Sequence, residues 1–264
     1  MKNLIAILLV LVISSCKKEV FNPINTKEFS IHSISNGADY HIKVSVPENY
    51  NPETEKYATM YVLDGEENFS FVANHCEKIS HANSTSNVLV VSIGYGYDRA
   101  VDYTPTNVNN SGGGGAEKFM LFIKDELIPK MEGDYAADTT RASRVIIGHS
   151  FGGLFAAFAF ANYNQVFGNY LMLSPSLWFD DEILFKMEQQ NRNINKENHQ
   201  LVYMGLGQLE NEGRMLAPFE AFYQQLENNY PDIAIKSHFV PRLDHMGSKN
   251  ENIIEALNFY FQNR

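Results

Sequence analysis

Five consecutive residues carry the clearest chemical signal in the chain: Gly148-His149-Ser150-Phe151-Gly152, a G-x-S-x-G sequence. A serine hydroxyl is a weak nucleophile until a neighbouring base takes its proton. The pattern matters only if the chain supplies such a base and a group to orient it. Three histidines follow Ser150: His199, His238 and His245. His199 precedes an apolar run and His238 lies within one. His245 falls in Leu243-Asp244-His245-Met246-Gly247, after the last such run and before the final helical segment. A loop there can bring an imidazole over Ser150, so His245 is the expected base. The acid is expected after the preceding run, in Gly205-Leu206-Gly207-Gln208-Leu209-Glu210-Asn211-Glu212. Glu210 is the first choice and Glu212 the second. Asp244, though adjacent to His245, points elsewhere in most loop geometries.

The reaction also needs donors for a developing oxyanion. One is the backbone N–H of Phe151, directly after the nucleophile. The other is expected from the loop after Tyr57–Leu63, at the amide of Glu66, with Gly65 allowing a tight turn. No His-Gly-Gly-Gly sequence is present, so this loop is not of the lipase type. Such a site works without a metal or an organic cofactor.

These residues have to be held by a scaffold. Three fixed positions recur by chance, so the G-x-S-x-G pattern gains weight from its context. Arg144–Ile147 is a short apolar run before it, and Gly153–Ala161, small and apolar on all sides, is a buried helix after it. A strand–turn–helix elbow would hold Ser150 in strained geometry on a sharp turn, with glycines where side chains would collide. Similar runs lie at Tyr57–Leu63, Val88–Ile93, Tyr170–Leu173, Leu201–Met204 and Ala234–Val240. Continuous apolar runs fit strands covered on both faces, as in a parallel sheet. Phe29–Ser33 and Tyr40–Val46 read as an antiparallel pair, the second alternating Tyr40, Ile42, Val44 and Val46 with polar residues around the Asn36-Gly37 turn signal. Helical spacing marks 116–131, 181–190, 214–228 and 252–262. The alternation predicts an α/β sheet with antiparallel strands at its start. Residues 94–115, including Gly112–Gly115, read as a long loop, and loops of that length are usually functional or mobile.

The chain has 264 residues, 44% hydrophobic and 20% charged, which fits a globular domain and excludes a largely disordered chain. Its formal charge of −10 argues against a nucleic-acid partner. Two cysteines, Cys16 and Cys76, exclude a disulfide framework. Met1–Ser15 has Lys2 followed by a ten-residue apolar run, Leu4–Ile13, which is too short to span a bilayer but suits a signal peptide. Ile13-Ser14-Ser15-Cys16 resembles a bacterial lipobox. That resemblance implies cleavage before Cys16, a lipid on its thiol, and a lipid-anchored protein of the bacterial envelope. The expected organisation is a signal peptide over 1–15, a tether over 16–28 and one domain over 29–264.

Several further segments, in order, resemble one family: Tyr61-Val62-Leu63-Asp64-Gly65; Arg99 with Asp102-Tyr103-Thr104-Pro105; Gly112–Lys118; Glu126-Leu127-Ile128-Pro129; Gly148–Leu154; and Ser174-Pro175-Ser176-Leu177-Trp178. The chain looks like the "Putative esterase" family of α/β hydrolases, which includes esterase D, the mycolyltransferases, feruloyl esterases and ferric-siderophore esterases. The blocks are most similar to the siderophore branch. The resemblance implies an α/β-hydrolase fold: a mostly parallel sheet, helices on both faces and no separate cap domain. It implies Ser150 and His245 as the catalytic pair, and a place for Arg99 near the scissile ester, where it would attract an anionic catecholate; the alternative for Arg99 is an ion pair with Asp102 that orders the loop. Trp178 and Phe179 either wall the substrate cleft or pack as ordinary core. Some siderophore esterases lack the triad acid and work as a dyad, whereas Glu210 here is the pattern of general esterases. Three functions remain open: cleavage of siderophore esters, removal of acetyl or feruloyl groups from polysaccharide, and ligand binding by a lipoprotein without catalysis. Oligomeric state is not legible.

Overall fold

The computed structural model describes residues 25–264 apart from 87, 111, 212 and 213. The expected signal peptide, Cys16, most of the tether and Glu212 lie outside the described residues. One eight-stranded sheet organises the rest, in the order β1-β2-β4-β3-β5-β6-β7-β8. β1 (Thr26–His32) and β2 (Asp39–Ser45) are antiparallel to each other, and β2 is antiparallel to β4 (Leu89–Ile93). All other pairings are parallel, through β3 (Thr59–Val62), β5 (Arg144–His149), β6 (Asn169–Leu173), β7 (Gln200–Gly207) and β8 (Ile233–Val240).

Burial follows the side-chain alternation of a strand. Tyr61, Ile146, Tyr170 and Met172 face one core with Phe119, Phe122, Phe155 and Phe222. Met60, Val62, Val145, Ile147, Leu171 and Leu173 face a second core with Val72, Cys76, Ile253 and Leu257. The first core is covered by α3 (Ala116–Phe122), a π-helical turn (Ile123–Leu127), α4 (Ile128–Asp134), α5 (Phe151–Asn162), α6 (Phe179–Asn195) and α7 (Leu216–Asn229). The second is covered by α1 (Gly65–Ala82) and α8 (Lys249–Asn263). Central strands are therefore apolar throughout, whereas β8, at the edge, is mostly half-buried. This is the α/β-hydrolase fold, with helices on both faces and the antiparallel strands at the start. Among the described residues no helix is long and apolar enough to cross a membrane.

The structure corrects the sequence reading at four places. β1 begins at Thr26, inside the segment expected to be tether, because its backbone pairs with β2 as far as Ser45. Residues 65–82 form an eighteen-residue helix, α1, for which no helix was expected. The supposed loop from Gly94 contains α2 (Arg99–Tyr103), capped by Asp98, whose side chain accepts from the Ala100 amide at 2.7 Å. β7 runs on to Gly207, so the first three residues of the expected acid loop are strand.

The glycines before α3 fasten α2 in place. Gly113 and Gly115 lie so close to it that an added Cβ would sit 2.4 Å from Thr104 Oγ1 and 2.7 Å from the Val101 carbonyl respectively. The Gly115 amide donates to that carbonyl at 2.8 Å. On the other side, buried Asp102 accepts from the Tyr40 hydroxyl at 3.1 Å and from the Gly96 amide at 3.3 Å. Burial raises the Asp102 carboxyl above its usual range, and those hydrogen bonds offset this only in part.

A triad scaffold at the carboxyl ends of the strands

Ser150 sits between β5 and α5 at φ 61°, ψ −117°. A non-glycine residue there is strained, and at a nucleophile this strain has a use: it thrusts the side chain out of the turn. Main-chain bonds hold the strain in place. The Ser150 amide donates to the Leu173 carbonyl at 2.9 Å, and its carbonyl accepts from Leu154 at 2.9 Å and Ser176 at 3.2 Å. The flanking glycines have no room for a side chain: a Cβ on Gly148 would lie 2.4 Å from the Gly152 carbonyl carbon, and one on Gly153 would lie 2.8 Å from the Leu173 carbonyl. Because the first helical bond of α5 is Leu154 to Ser150, the amide of Phe151 has no helical acceptor.

Glu210 and His245 meet as the sequence reading expected. Nδ1 of His245 lies 2.6 Å from Oε2 of Glu210, which stands on a short 3₁₀ turn (Gln208–Asn211) directly after β7. The other oxygen, Oε1, accepts from the Gly207 amide and the Ser174 hydroxyl, both at 2.7 Å, and from Ser248 Oγ at 3.4 Å. Burial works against the charge on Glu210, but the bonds from His245, Ser174 and Gly207 outweigh it and hold the carboxyl below its usual range. A fixed carboxylate on Nδ1 leaves Nε2 as the working nitrogen of His245. Ser150 and His245 line the same two clefts. The last link is open: Ser150 Oγ has no hydrogen-bond partner among the described residues, and such links often tighten only around substrate.

Asp244 does not pair with the His245 ring, as expected; its Oδ1 accepts from the Gly247 amide at 2.8 Å. Glu66 is in the first turn of α1, where main-chain amides lack helical acceptors, and its carboxylate points to Lys43 at 3.0 Å and His41 at 3.2 Å. Those bonds keep the Glu66 carboxyl low. Glu66 lines neither cleft at Ser150, although Asp64, Glu67 and Asn68 beside it line the narrower one.

Arg99 lines a cleft together with Ser150 and His245, and only the alternative expected for it, a pair with Asp102, is overturned. Its partner is Asp64, not Asp102: Nε to Oδ1 is 2.8 Å and Nη2 to Oδ2 is 3.0 Å, with Nη2 also 3.3 Å from the His149 carbonyl. Burial disfavours the Arg99 charge, yet the Asp64 pair more than offsets this and raises its pKa. Asp64 turns the chain from β3 into α1 at φ 50°, with the Tyr95 hydroxyl on Oδ1 at 2.9 Å and its own amide on Tyr103 Oη at 2.9 Å.

Four residues at the site were not assigned roles from sequence: Asp64, His149, Ser174 and Ser248. His149 Nε2 donates to the His245 carbonyl at 2.9 Å, the rings 4.6 Å apart. Burial, with His245 beside it, pushes the His149 pKa down to about 4, so the ring is neutral and Nε2 carries the proton. Ser174, at φ 41°, is the first residue of Ser174-Pro175-Ser176; a short block placed between a strand end and a later acid was the available signal.

Two clefts flank Ser150. A wide one of about 600 Å³ is lined by Phe151, Trp178, Leu209, Met215 and Arg214. A narrow, charged one of about 240 Å³ is lined by Asp64, Glu67, Asn68, Arg99 and Lys249. Trp178 is thus on a cleft wall, while Phe179 packs edge-on against Phe151, ring centres 5.9 Å apart.

The fold and sequence are similar to those of known proteins. The family described as "Putative esterase" matches residues 33–238. The ferri-bacillibactin esterase BesA of Bacillus subtilis is 27% identical over 211 residues, covering 71% of this chain and 72% of its own. A siderophore triacetylfusarinine C esterase of Aspergillus fumigatus is 28% identical over 169 residues, 59% of this chain and 57% of that protein. Among solved structures, the BES protein from Bacillus cereus superposes with a TM-score of 0.81 at 25% identity, over 94% of this chain and 98% of that one. The siderophore hydrolase EstA from Aspergillus nidulans has the same fold, with a TM-score of 0.79 at 20% identity, over 93% and 99% of the two chains. With most of its domain matched by that family and an elbow, acid and histidine at the strand ends, the chain belongs to the Putative esterase family and is an esterase.

Proposed function

We propose that the protein is a serine carboxylic-ester hydrolase acting on siderophore-type lactone esters through an acyl-enzyme. The observation that carries this reading is the buried Glu210 carboxylate on His245 Nδ1 at 2.6 Å, beside a strained Ser150 that opens to the same clefts. Ser150 Oγ attacks the ester carbonyl carbon as His245 Nε2 takes the hydroxyl proton. The main-chain N–H groups of Phe151 and Glu66 hold the oxyanion; such donors are typically worth about 10²–10³ in rate each. The C–O bond then breaks and His245 returns the proton to the leaving alkoxide. Water, deprotonated by His245, attacks the acyl-enzyme and releases Ser150. Glu210 orients the imidazole and stabilises its charged form. The siderophore substrate class rests on relatives whose names state that activity, BesA and the triacetylfusarinine C esterase.

The test is mass-spectrometric cleavage of a ferric trilactone siderophore, run beside Ser150→Ala and beside acetylated and feruloylated xylan. Ring opening by the parent alone supports the reading. Release of acetate or ferulate without ring opening moves the substrate to polysaccharide, and turnover by Ser150→Ala removes the mechanism.

We also propose that Cys16 carries a lipid that holds the domain on an envelope membrane, from the Ile13-Ser14-Ser15-Cys16 sequence after an apolar run. Metabolic labelling with an alkynyl fatty acid should mark the parent and spare Cys16→Ser; equal labelling of both would remove the anchor.

A further inference from the structure

An anionic ester substrate needs a cation in the cleft, and the two arginines near Ser150 differ in what they have to offer. The Arg99 charge is already answered by Asp64 through two hydrogen bonds. Lys249, in the same narrow cleft, is 3.4 Å from Glu67. Arg214, in the wide cleft, has no ion pair or hydrogen bond to any described residue. Its guanidinium instead lies over the Trp178 ring, Cζ 3.1 Å from the ring centre. Trp178 is itself held, its Nε1 donating to Met215 Sδ at 3.1 Å and its ring 6.2 Å from that of Phe151. A guanidinium held over an aromatic face keeps its N–H donors available, and their fork matches a carboxylate or paired phenolate oxygens. Phe151, Met215 and Leu209 supply apolar wall beside it. Asp244 also lines this cleft, on the segment carrying His245, and its Oδ1 is occupied by the Gly247 amide.

We propose that Arg214 and Trp178 form a subsite for a planar anionic aryl group of the substrate, and that this pair, rather than Arg99, supplies the positive charge that recognises it. The proposal rests on the reading of the wide cleft as the substrate cleft. It concerns binding only, so it is tested without turnover. Trp178 is the single tryptophan of the chain, so intrinsic fluorescence reports on this subsite directly. Titration of the full-length protein with benzoate should change Trp178 emission, and the isosteric neutral benzamide should bind at least threefold more weakly, the scale of one exposed charge pair. Arg214→Gln should remove the preference for benzoate, and Arg214→Lys, which keeps the charge but not the planar fork, should retain part of it. Equal affinity for the two probes in the parent, or a preference that survives in Arg214→Gln, would overturn the subsite. Fluorophosphonate labelling of Ser150 in the same preparation tests the esterase reading separately: loss of labelling with an intact benzoate preference condemns the mechanism and not the subsite.

Discussion

Arg99 and Asp64 face each other edge to edge, and the same guanidinium reaches the carbonyl of His149. The pair therefore ties the turn that begins α1, the expected source of one oxyanion donor, to the peptide that leads into the nucleophile. Asp64 is 5% exposed and Arg99 33%. Asparagine tolerates φ 50°, so Asp64→Asn isolates the loss of charge from any backbone effect. It should destabilise the protein by about 2–4 kcal/mol, since it strands a partly buried cation, and Asp64→Asn with Arg99→Gln should recover part of that loss. Urea unfolding of the two single variants and the double variant gives the coupling directly; additive losses would show that the pair is not a unit. Arg99→Lys cannot reproduce the two-point contact, and the expected effect is a fall in kcat of about tenfold or more with a smaller change in KM.

Replacing Glu210 by Gln preserves an oxygen for Ser174 and Gly207 but places an amide donor against His245 Nδ1. The imidazole is then favoured in the wrong tautomer. In the equivalent serine-protease substitution this lowers kcat by about 10⁴, and a loss of about 10³–10⁴ is expected here on any ester substrate. A loss below tenfold, measured by steady-state kinetics, would mean that Ser150 and His245 work as a dyad.

His149 ties stability to pH. Its folded pKa of about 4 is below the free-histidine value, so between the two the unfolded chain binds a proton that the folded chain does not. Stability is then complete above the unfolded value and falls as pH drops towards 4, by about 2 kcal/mol at pH 5. Asparagine at 149 can still donate to the His245 carbonyl without titrating. The difference in urea midpoint between pH 7.5 and pH 5 should therefore be smaller in His149→Asn than in the parent.

The start of α6 stores strain. Asp180, Asp181 and Glu182 have φ values of 49°, 47° and 60°, one left-handed turn made entirely of side-chain-bearing residues. Each costs about 1–2 kcal/mol relative to a right-handed residue. Asp181 is exposed and its side chain has no partner among the described residues. Asp181→Gly should raise stability by on the order of 1 kcal/mol, seen as a higher Tm in calorimetry. Thr106 Oγ1 donates to Asp180 Oδ2 at 2.6 Å and ties the turn to the segment after α2.

The strands and the elbow were legible because each is a local pattern: an apolar run, a glycine pair, a small-residue helix. Glu210 and His245 were legible from chain order, since a parallel sheet brings successive strand ends to one rim. α1 was hidden by its polar face, although Phe69, Val72, Cys76 and Ile79 already fall at helical spacing and are buried together. The partner of Arg99 was not legible. Asp102 is three residues away and invites a local pair, yet its carboxyl is turned towards Tyr40, and the true partner comes from a different strand end. Ser174 and His149 act through contacts between loops distant in the chain, which no local spacing records.

The order of Ser150, Glu210 and His245 along the chain also sets when the proposed site can assemble. Ser150 emerges first and Glu210 sixty residues later. His245 lies beyond β8, and the loop that carries it is held between β8 and α8, which packs on β7 and α1. A chain delivered amino end first can form its early strands as it emerges. It cannot place the base over the serine until the segment from 241 to the end of α8 has been released. On the proposed mechanism the nucleophile is built early and armed last, so the emerging chain stays an unreactive scaffold until its final helix has docked.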